Sequence, residues 1–143
     1  MALVEIRTAL EEKLNLLTPS IATAWENVPF VPVTGTAYQQ INLMISDTIN
    51  PTLGDSHYRI KGFMQVLLNY PANTGAKAAS TRADLLVNHF KRSTSLSNGG
   101  ITVIIDKTPS IAPAIINGDR YKIPVSIYFT AEIYPALELL LIT

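Results

Sequence analysis

The longest regular pattern in this chain is an alternation of apolar and polar side chains over residues 121–134. Its apolar positions are Ile123, Val125, Ile127, Phe129, Ala131 and Ile133. A period of two predicts a β-strand with one face in a core. Fourteen extended residues reach about 46 Å at roughly 3.3 Å each, whereas a compact domain of this length is roughly 37 Å across. We therefore expect this strand either to bend or to overhang its domain, and an overhang would need a neighbouring subunit.

Two other segments have helical spacing. In residues 2–17 the apolar side chains recur at steps of three and four, and Thr18-Pro19 is a stop signal. A second helix is predicted from a cap at Asn73 or Thr74 to about Arg92. The predicted apolar stripes are Leu3, Ile6, Leu10, Leu14 and Leu17 in the first helix, and Ala76, Ala79, Ala83, Leu86, Val87 and Phe90 in the second.

Shorter alternating or apolar runs predict further strands. These runs cover residues 20–26, 39–48, 57–70, 101–106 and 110–116. Asn117-Gly118 is a strong hairpin signal that joins the last of them to the long strand. Because two helices are too few to cover both faces of such a sheet, we expect them to share one face. The predicted fold is therefore a single α+β domain over residues 1–143, with a two-layer architecture and a mainly antiparallel sheet.

Two apolar segments are poorly explained by an isolated monomer. Residues 27–38 contain Pro29 and Pro32, which predict an extended loop, yet this loop is unusually apolar. The C-terminal extension, residues 135–143, is rich in leucine, and docking on its own domain or on a partner subunit explains it about equally well. We expect subunit contacts at the loop and at the overhanging ends of strands 57–70 and 121–134. The candidate residues are Phe30, Val31, Val33, Tyr38, Tyr128, Leu137, Leu139 and Leu141.

The amino-acid composition argues against several classes of function. Formal net charge is zero, with 11 basic and 11 acidic residues, which argues against a protein that grips nucleic acid but not against DNA passing nearby. Apolar residues make up 48 % and charged residues only 15 %, so we expect some surface to be hidden by other subunits. The absence of cysteine excludes disulfides, thiolate zinc sites and cysteine nucleophiles. No secretion signal or membrane-spanning apolar run is visible, so we expect no membrane association.

The sequence contains no convergent set of catalytic residues. Neither His57 nor His89 is placed by the pattern beside a nucleophile or carboxylate, so both are interpreted as surface or capping residues. Trp25 is interpreted as a core or interface residue. Arg82, grouped with Lys91 and Arg92, is interpreted as part of a solvated helix face, with a weak phosphate contact as the sharper alternative. No catalytic, cofactor-binding or metal-binding residue is predicted, and an enzyme is the least favoured class.

Several blocks of the sequence, taken in order, carry a family resemblance. They are Ala-Trp-Glu-Asn-Val-Pro-Phe-Val-Pro at 24–32, Tyr38-Gln39 before an apolar strand, the block from Tyr58 to Pro71, the helix start at Gly75, Phe90-Lys-Arg, and Asn117-Gly118-Asp119-Arg120-Tyr121. In their order and spacing they resemble the tail terminator-like proteins of tailed bacteriophages. The C-terminal leucine-rich extension has no counterpart in that pattern.

The resemblance implies a structural virion protein with helices on one side of a mainly antiparallel sheet. It implies a homohexameric ring at the head-proximal end of the tail, assembled in the bacterial host cytoplasm. Such a ring stops polymerisation of the tail tube protein and presents the surface that head-completion proteins join, while DNA passes through the lumen. The alternatives are another neck or head–tail connector protein, or a small-molecule or peptide binding module that uses Trp25 and the exposed sheet face.

Overall fold

The computed structural model describes residues 2–54 and 57–134. The helices in these residues are α1 (Ala2–Asn15) and α2 (Lys77–His89). The strands are β1 (Ala22–Ala24), β2 (Tyr38–Ile49), β3 (Tyr58–Pro71), β4 (Ser95–Asn98), β5 (Ile101–Ile105), β6 (Ser110–Ile111), β7 (Ile115–Asn117) and β8 (Arg120–Ile133). The C-terminal extension, including Leu137, Leu139 and Leu141, lies outside the described residues.

The strands form one curled, mostly antiparallel sheet in the order β1-β2-β3-β8-β5-β4. β3 and β8 pair along their whole length, from Tyr58 opposite Ile133 to Pro71 opposite Arg120. Since β3 occupies one side of β8, the short strands β5, β6 and β7 all pair with its other side. The parallel pair in the described sheet is β1 with β2. β1 covers only the first three residues of β2, so most of the outer edge of β2 has no neighbouring strand.

Both helices lie on the same face of this sheet. α1 contacts β4 and β5, while α2 contacts β3 and β8, and the buried side chains of both helices belong to one core cluster with the sheet. The core includes every odd-numbered residue of β8 from Ile123 to Ile133. The predicted α+β architecture is confirmed. Because the inner face of β8 is covered at both ends, this strand follows the curl of the sheet instead of overhanging it.

The sharpest irregularity in the sheet is a bulge in β2 opposite Gly62 of β3. The register between the two strands shifts between Ile45 and Asp47. A Cβ atom at position 62 would overlap the carbonyl oxygen of Met44 and lie 3.1 Å from the Cα of Ile45 and the Cζ of Phe129. Only glycine allows the three central strands to approach this closely on the buried face.

Two tight hairpins join neighbouring strands. Asn117 of β7 pairs with Arg120 of β8, so the turn residues are Gly118, with φ of +63°, and Asp119. Glycine at the first turn position is typical of type II′ hairpins, and the predicted hairpin is confirmed. Gly99 and Gly100 both have positive φ and join β4 to β5. Sequence periodicity missed β4 because its four residues, Ser-Leu-Ser-Asn, are too few and too polar.

Several predicted boundaries were wrong. α2 begins at Lys77, and neither Asn73 nor Thr74 caps it, since the Thr74 hydroxyl donates instead to the carbonyl of Pro71. The predicted strand 110–116 is divided into β6 and β7, because Pro113 lacks the amide hydrogen that a continuous ladder would need. Leu3 was predicted in the buried stripe of α1 but is half exposed, and Ala2 and Ala9 complete that stripe instead.

The interpretation of Arg82 as a solvated residue was also wrong. Its side chain is 3 % exposed, and its guanidinium donates to the carbonyl oxygen of Pro19 and lies 3.5 Å from Oε1 of Gln39. Burial lowers the pKa of Arg82, with the nearby Tyr70 opposing that shift. Arg82 therefore ties α2 to the connection between α1 and β1 and is not available to bind a phosphate.

Candidate functional site

The most unusual surface is the segment between β1 and β2, which we call the arm (residues 27–38). It forms no regular structure before Tyr38, as its two prolines predicted. It carries no charged residue. Val31 is 85 % exposed and Val33 is 64 % exposed. Phe30 is half buried, because its ring packs 5.0 Å from that of Tyr38. The arm thus combines an anchored aromatic with freely exposed valines.

Arg120, at the start of β8, fixes the far end of the arm. It donates hydrogen bonds to the carbonyl oxygens of Thr36 at 2.5 Å and Val33 at 2.8 Å, and its guanidinium lies 4.9 Å from the centre of the Tyr38 ring. The residue is only 6 % exposed, and it forms no ion pair within the described part of the chain. A buried guanidinium bonded to two backbone carbonyls holds the arm in one conformation. Sequence reasoning missed this role, because nothing in the pattern relates position 120 to positions 33–36.

A second exposed apolar segment lies on the opposite edge of the sheet, and we call it the ribbon (residues 110–118). Every residue in it is exposed and none is charged. Its most exposed large side chains are Ile111, Ile115 and Ile116, at 47 %, 58 % and 68 %. β6 and β7 pair only with β8 in the described sheet, so their outer edges face away from it. The sequence signal available was Pro113 inside an uncharged, β-branched run.

An open cleft of about 610 Å³ separates the arm from the first half of β2. Trp25, Val28, Pro29 and Phe30 form its apolar wall, and Asn42 is among the β2 residues that line it. The carboxylate of Glu26 also reaches the cleft, but it accepts hydrogen bonds from Arg7, at 3.0 Å, and from the backbone amide of Leu43. Burial raises the pKa of Glu26, but the hydrogen bonds from Leu43 and Arg7 and the Arg7 charge lower it overall.

Tyr128 lies apart from the arm, in the middle of the outer sheet face. Its ring is 5.5 Å from that of Phe63, and the ammonium of Lys107 sits 4.2 Å above it. The strand register places Met44 in the same cross-strand row. The structure therefore brings Phe30 and Tyr38 together and places Val31 and Val33 on the same arm, whereas Tyr128 belongs to a separate surface.

One cluster corrects the interpretation of His57. Its ring bonds to the carboxylate of Glu132 and stacks on Tyr134 with centroids 4.5 Å apart, so the histidine does lie beside a carboxylate. Arg59 donates to the other carboxylate oxygen at 2.6 Å. The pairing was invisible in the sequence because residues 57 and 132 meet only when β3 and β8 pair. His89 bonds to the carbonyl of Lys13 and so links the two helices.

Within residues 2–54 and 57–134, no group of three or more His, Asp or Glu side chains is placed to hold a metal ion. Neither described helix has both the length and the hydropathy needed to cross a bilayer.

Comparison with known proteins identifies the family to which this chain belongs. A family model described as phage tail terminator protein matches residues 5–129. A solved structure is similar to this chain with a TM-score of 0.78 and 25 % identity, over 94 % of this chain and 99 % of the other. No curated protein matches this chain significantly. The chain belongs to the phage tail terminator family, a family of structural proteins of the virion tail.

Proposed function

We propose that this protein assembles into a closed ring that caps the head-proximal end of a phage tail tube. The ring, of six subunits as in the family it resembles, stops polymerisation of the tube protein and forms the surface that a head-completion protein joins. The observation that carries the proposal is the arm, which presents Val28, Val31 and Val33 to solvent in a conformation fixed by Arg120. Exposed apolar surface of this kind is typical of a protein–protein contact.

Capping requires a ring with one face on which the repeating contact between tube rings cannot continue. In a ring of identical subunits, each copy uses two different patches, and the rotation between copies closes the ring. One ring face matches the last ring of the tube, while the other lacks the self-complementary surface that would let the tube continue. DNA then crosses the lumen without being held, in keeping with a formal net charge of zero. The role requires no catalysis, cofactor or metal.

Val31→Asp tests whether the arm makes the subunit contact. Val31 is 85 % exposed, so the variant should keep its circular dichroism spectrum and Tm. A carboxylate buried without a partner at a subunit contact costs several kcal/mol, so ring assembly should weaken at least about a hundredfold. Native mass spectrometry and negative-stain imaging, with and without tail tube protein, measure the ring.

Leu53→Asp is the matched control for this variant. Leu53 is 99 % exposed in the loop between β2 and β3, outside the arm, so this variant should form rings as the wild type does. Rings of Val31→Asp that are as stable as those of Leu53→Asp would remove the arm from the contact.

Tail assembly in the presence and absence of the protein tests the capping role. Without a terminator, tubes should grow beyond their normal length. Normal-length tails that fail to join heads would instead indicate a head–tail connector. A monomer that binds a small molecule or peptide saturably in the cleft beside Trp25, and never forms rings with tubes present, would indicate a binding module.

A further inference from the structure

The arm accounts for one side of a subunit contact, whereas a ring needs two sides. The ribbon has the properties expected of the second side. It is nine consecutive exposed residues without a charge, with Ile115 and Ile116 more than half exposed. Isolated exposed apolar residues are ordinary, but a continuous uncharged segment with a free strand edge is a site for association.

The cleft beside the arm matches the ribbon in polarity. The ribbon is an exposed, uncharged segment whose strands pair with β8, whereas the cleft is concave and has an apolar wall of Trp25, Val28 and Phe30. The carboxylate on this wall, Glu26, is engaged by Arg7 and by the Leu43 amide. A volume of about 610 Å³ accommodates several side chains.

The two surfaces also lie where successive subunits of a ring would meet. The cleft is at the β1–β2 edge of the sheet, and the ribbon is on the far side of β8. Both are at the same end, because the cross-strand row of Tyr38, Asn69 and Lys122 leads to Ile115 of the ribbon. Within one copy, β3 and β8 separate β2 from β7, by about 14 Å at roughly 4.8 Å per strand. A copy therefore cannot insert its ribbon into its own cleft.

We propose that the ribbon of one copy docks in the cleft of the next copy. This inference rests on the ring of the proposed function and assigns the two patches that close it. The contact is heterologous, because the cleft and the ribbon lie on opposite sides of the sheet and each copy of the ring uses them toward different neighbours. The arm contributes by forming the cleft wall, and Arg120 contributes by holding the arm in place.

Site-directed disulfides test the pairing directly, because the chain has no cysteine of its own. The variant Asn42→Cys/Ile115→Cys carries one thiol in the cleft and one on the ribbon. The two positions are on β2 and β7 of one copy, beyond the roughly 7 Å limit for Cα atoms joined by a disulfide. Any disulfide is therefore between copies, and assembled rings should give a covalent ladder ending at the ring's subunit number on a non-reducing gel.

The matched control is Asn42→Cys/Ser97→Cys, which keeps the cleft thiol and moves the other to the exposed residue Ser97 of the edge strand β4. It should give no ladder. Rings without the Asn42/Ile115 ladder, or with an Asn42/Ser97 ladder instead, would overturn the inference and leave the ring itself standing. Absence of rings with tail tubes present would refute the proposed function, and the inference with it.

Mixing two half-defective variants provides an independent test. Val28→Asp damages the cleft and Ile115→Asp damages the ribbon, and both positions are more than half exposed, so each variant should fold. Alone, each should have ring assembly weakened at least about a hundredfold. Mixed, they retain one intact cleft and one intact ribbon, so a 1:1 heterodimer should form without closing into a ring. A mixture that remains monomeric would contradict the heterologous pairing.

Discussion

The pairing of β3 with β8 brings Glu132 into contact with charged and polar side chains of the neighbouring strand. Its carboxylate bonds to Arg59 and His57 from the neighbouring strand, and its side chain is 25 % exposed. Burial raises the pKa of Glu132, but the hydrogen bonds and charges of Arg59 and His57 outweigh it, so its pKa lies below the ordinary value of 4.5. The ionised carboxylate is therefore the form that stabilises the fold.

Glu132→Gln should lower the free energy of unfolding by about 1 kcal/mol at neutral pH, the upper range for partly exposed ion pairs. Because the pKa of Glu132 is lower in the folded state, its carboxylate stabilises the fold at pH values above the ordinary pKa of glutamate. This contribution is lost as the pH falls through the pKa of the folded state. The difference between wild type and variant should thus shrink as the pH falls below about 4.5. Urea unfolding from pH 7 to pH 3, with the exposed Glu12→Gln as control, measures it. A difference that does not change with pH would assign Glu132 a packing role only.

At the scale of elements, the arm behaves as an ordered unit without regular secondary structure. Its prolines and glycine give it few backbone hydrogen bonds of its own, and one is from the Thr36 amide to the Val33 carbonyl. Arg120 donates to the carbonyl oxygens of both residues and packs against Tyr38. The order of this segment therefore depends on one side chain from another element.

Arg120→Gln should release residues 33–36, because the shorter amide cannot reach both carbonyl groups. Exchange of the Thr36 amide, which bonds to the Val33 carbonyl, should accelerate at least about tenfold in hydrogen–deuterium exchange, and the free energy of unfolding should fall by about 1–3 kcal/mol. Arg92→Gln, at an exposed position after α2, should change neither quantity. Unchanged exchange in the Arg120 variant would mean that proline stiffness alone orders the arm.

At the scale of the whole molecule, the distribution of charge determines how it can assemble. The positive and negative charges are equal in number, and from Asn27 to Ser46 there is no charged residue at all. The ribbon is likewise uncharged. The proposed contacts between copies are consequently mainly apolar, and the carboxylate of Glu26, which reaches the cleft, is paired with Arg7 of the same copy.

Ring stability should therefore not decrease when salt is raised from about 0.05 M to about 1 M, where screening extends over only about 3 Å. Apolar contacts are not screened, and salts that are excluded from protein surfaces strengthen them. Analytical ultracentrifugation across the salt range gives the fraction in rings. A tenfold or larger weakening at high salt would show that ion pairs hold the ring instead.

The sequence alone was sufficient to predict features that depend on residues close together along the chain. Periodicity identified both helices and the long strands, because a buried face leaves a repeat of two or 3.6 residues. Asn117-Gly118 identified the last hairpin, and Pro29 and Pro32 identified the arm as irregular and apolar. The boundaries of α2 and the interruption between β6 and β7 were less accurate, since caps and short strands depend on contacts beyond their own residues.

The tertiary structure decided which distant residues meet and which apolar residues stay exposed. Arg120 bonds to the arm and Arg82 bonds to the carbonyl of Pro19 only in the folded chain. Glu132 bonds to His57 because strands far apart in sequence become neighbours in one sheet. Alternation places Ile115 and Ile116 on opposite faces of a strand, but only the position of that strand at the rim of the sheet leaves both exposed. The sequence thus determined the elements and their buried faces, whereas the order of the strands, which only the tertiary structure shows, sets which edges of the sheet remain free. The proposed pairing of cleft and ribbon rests on those free edges.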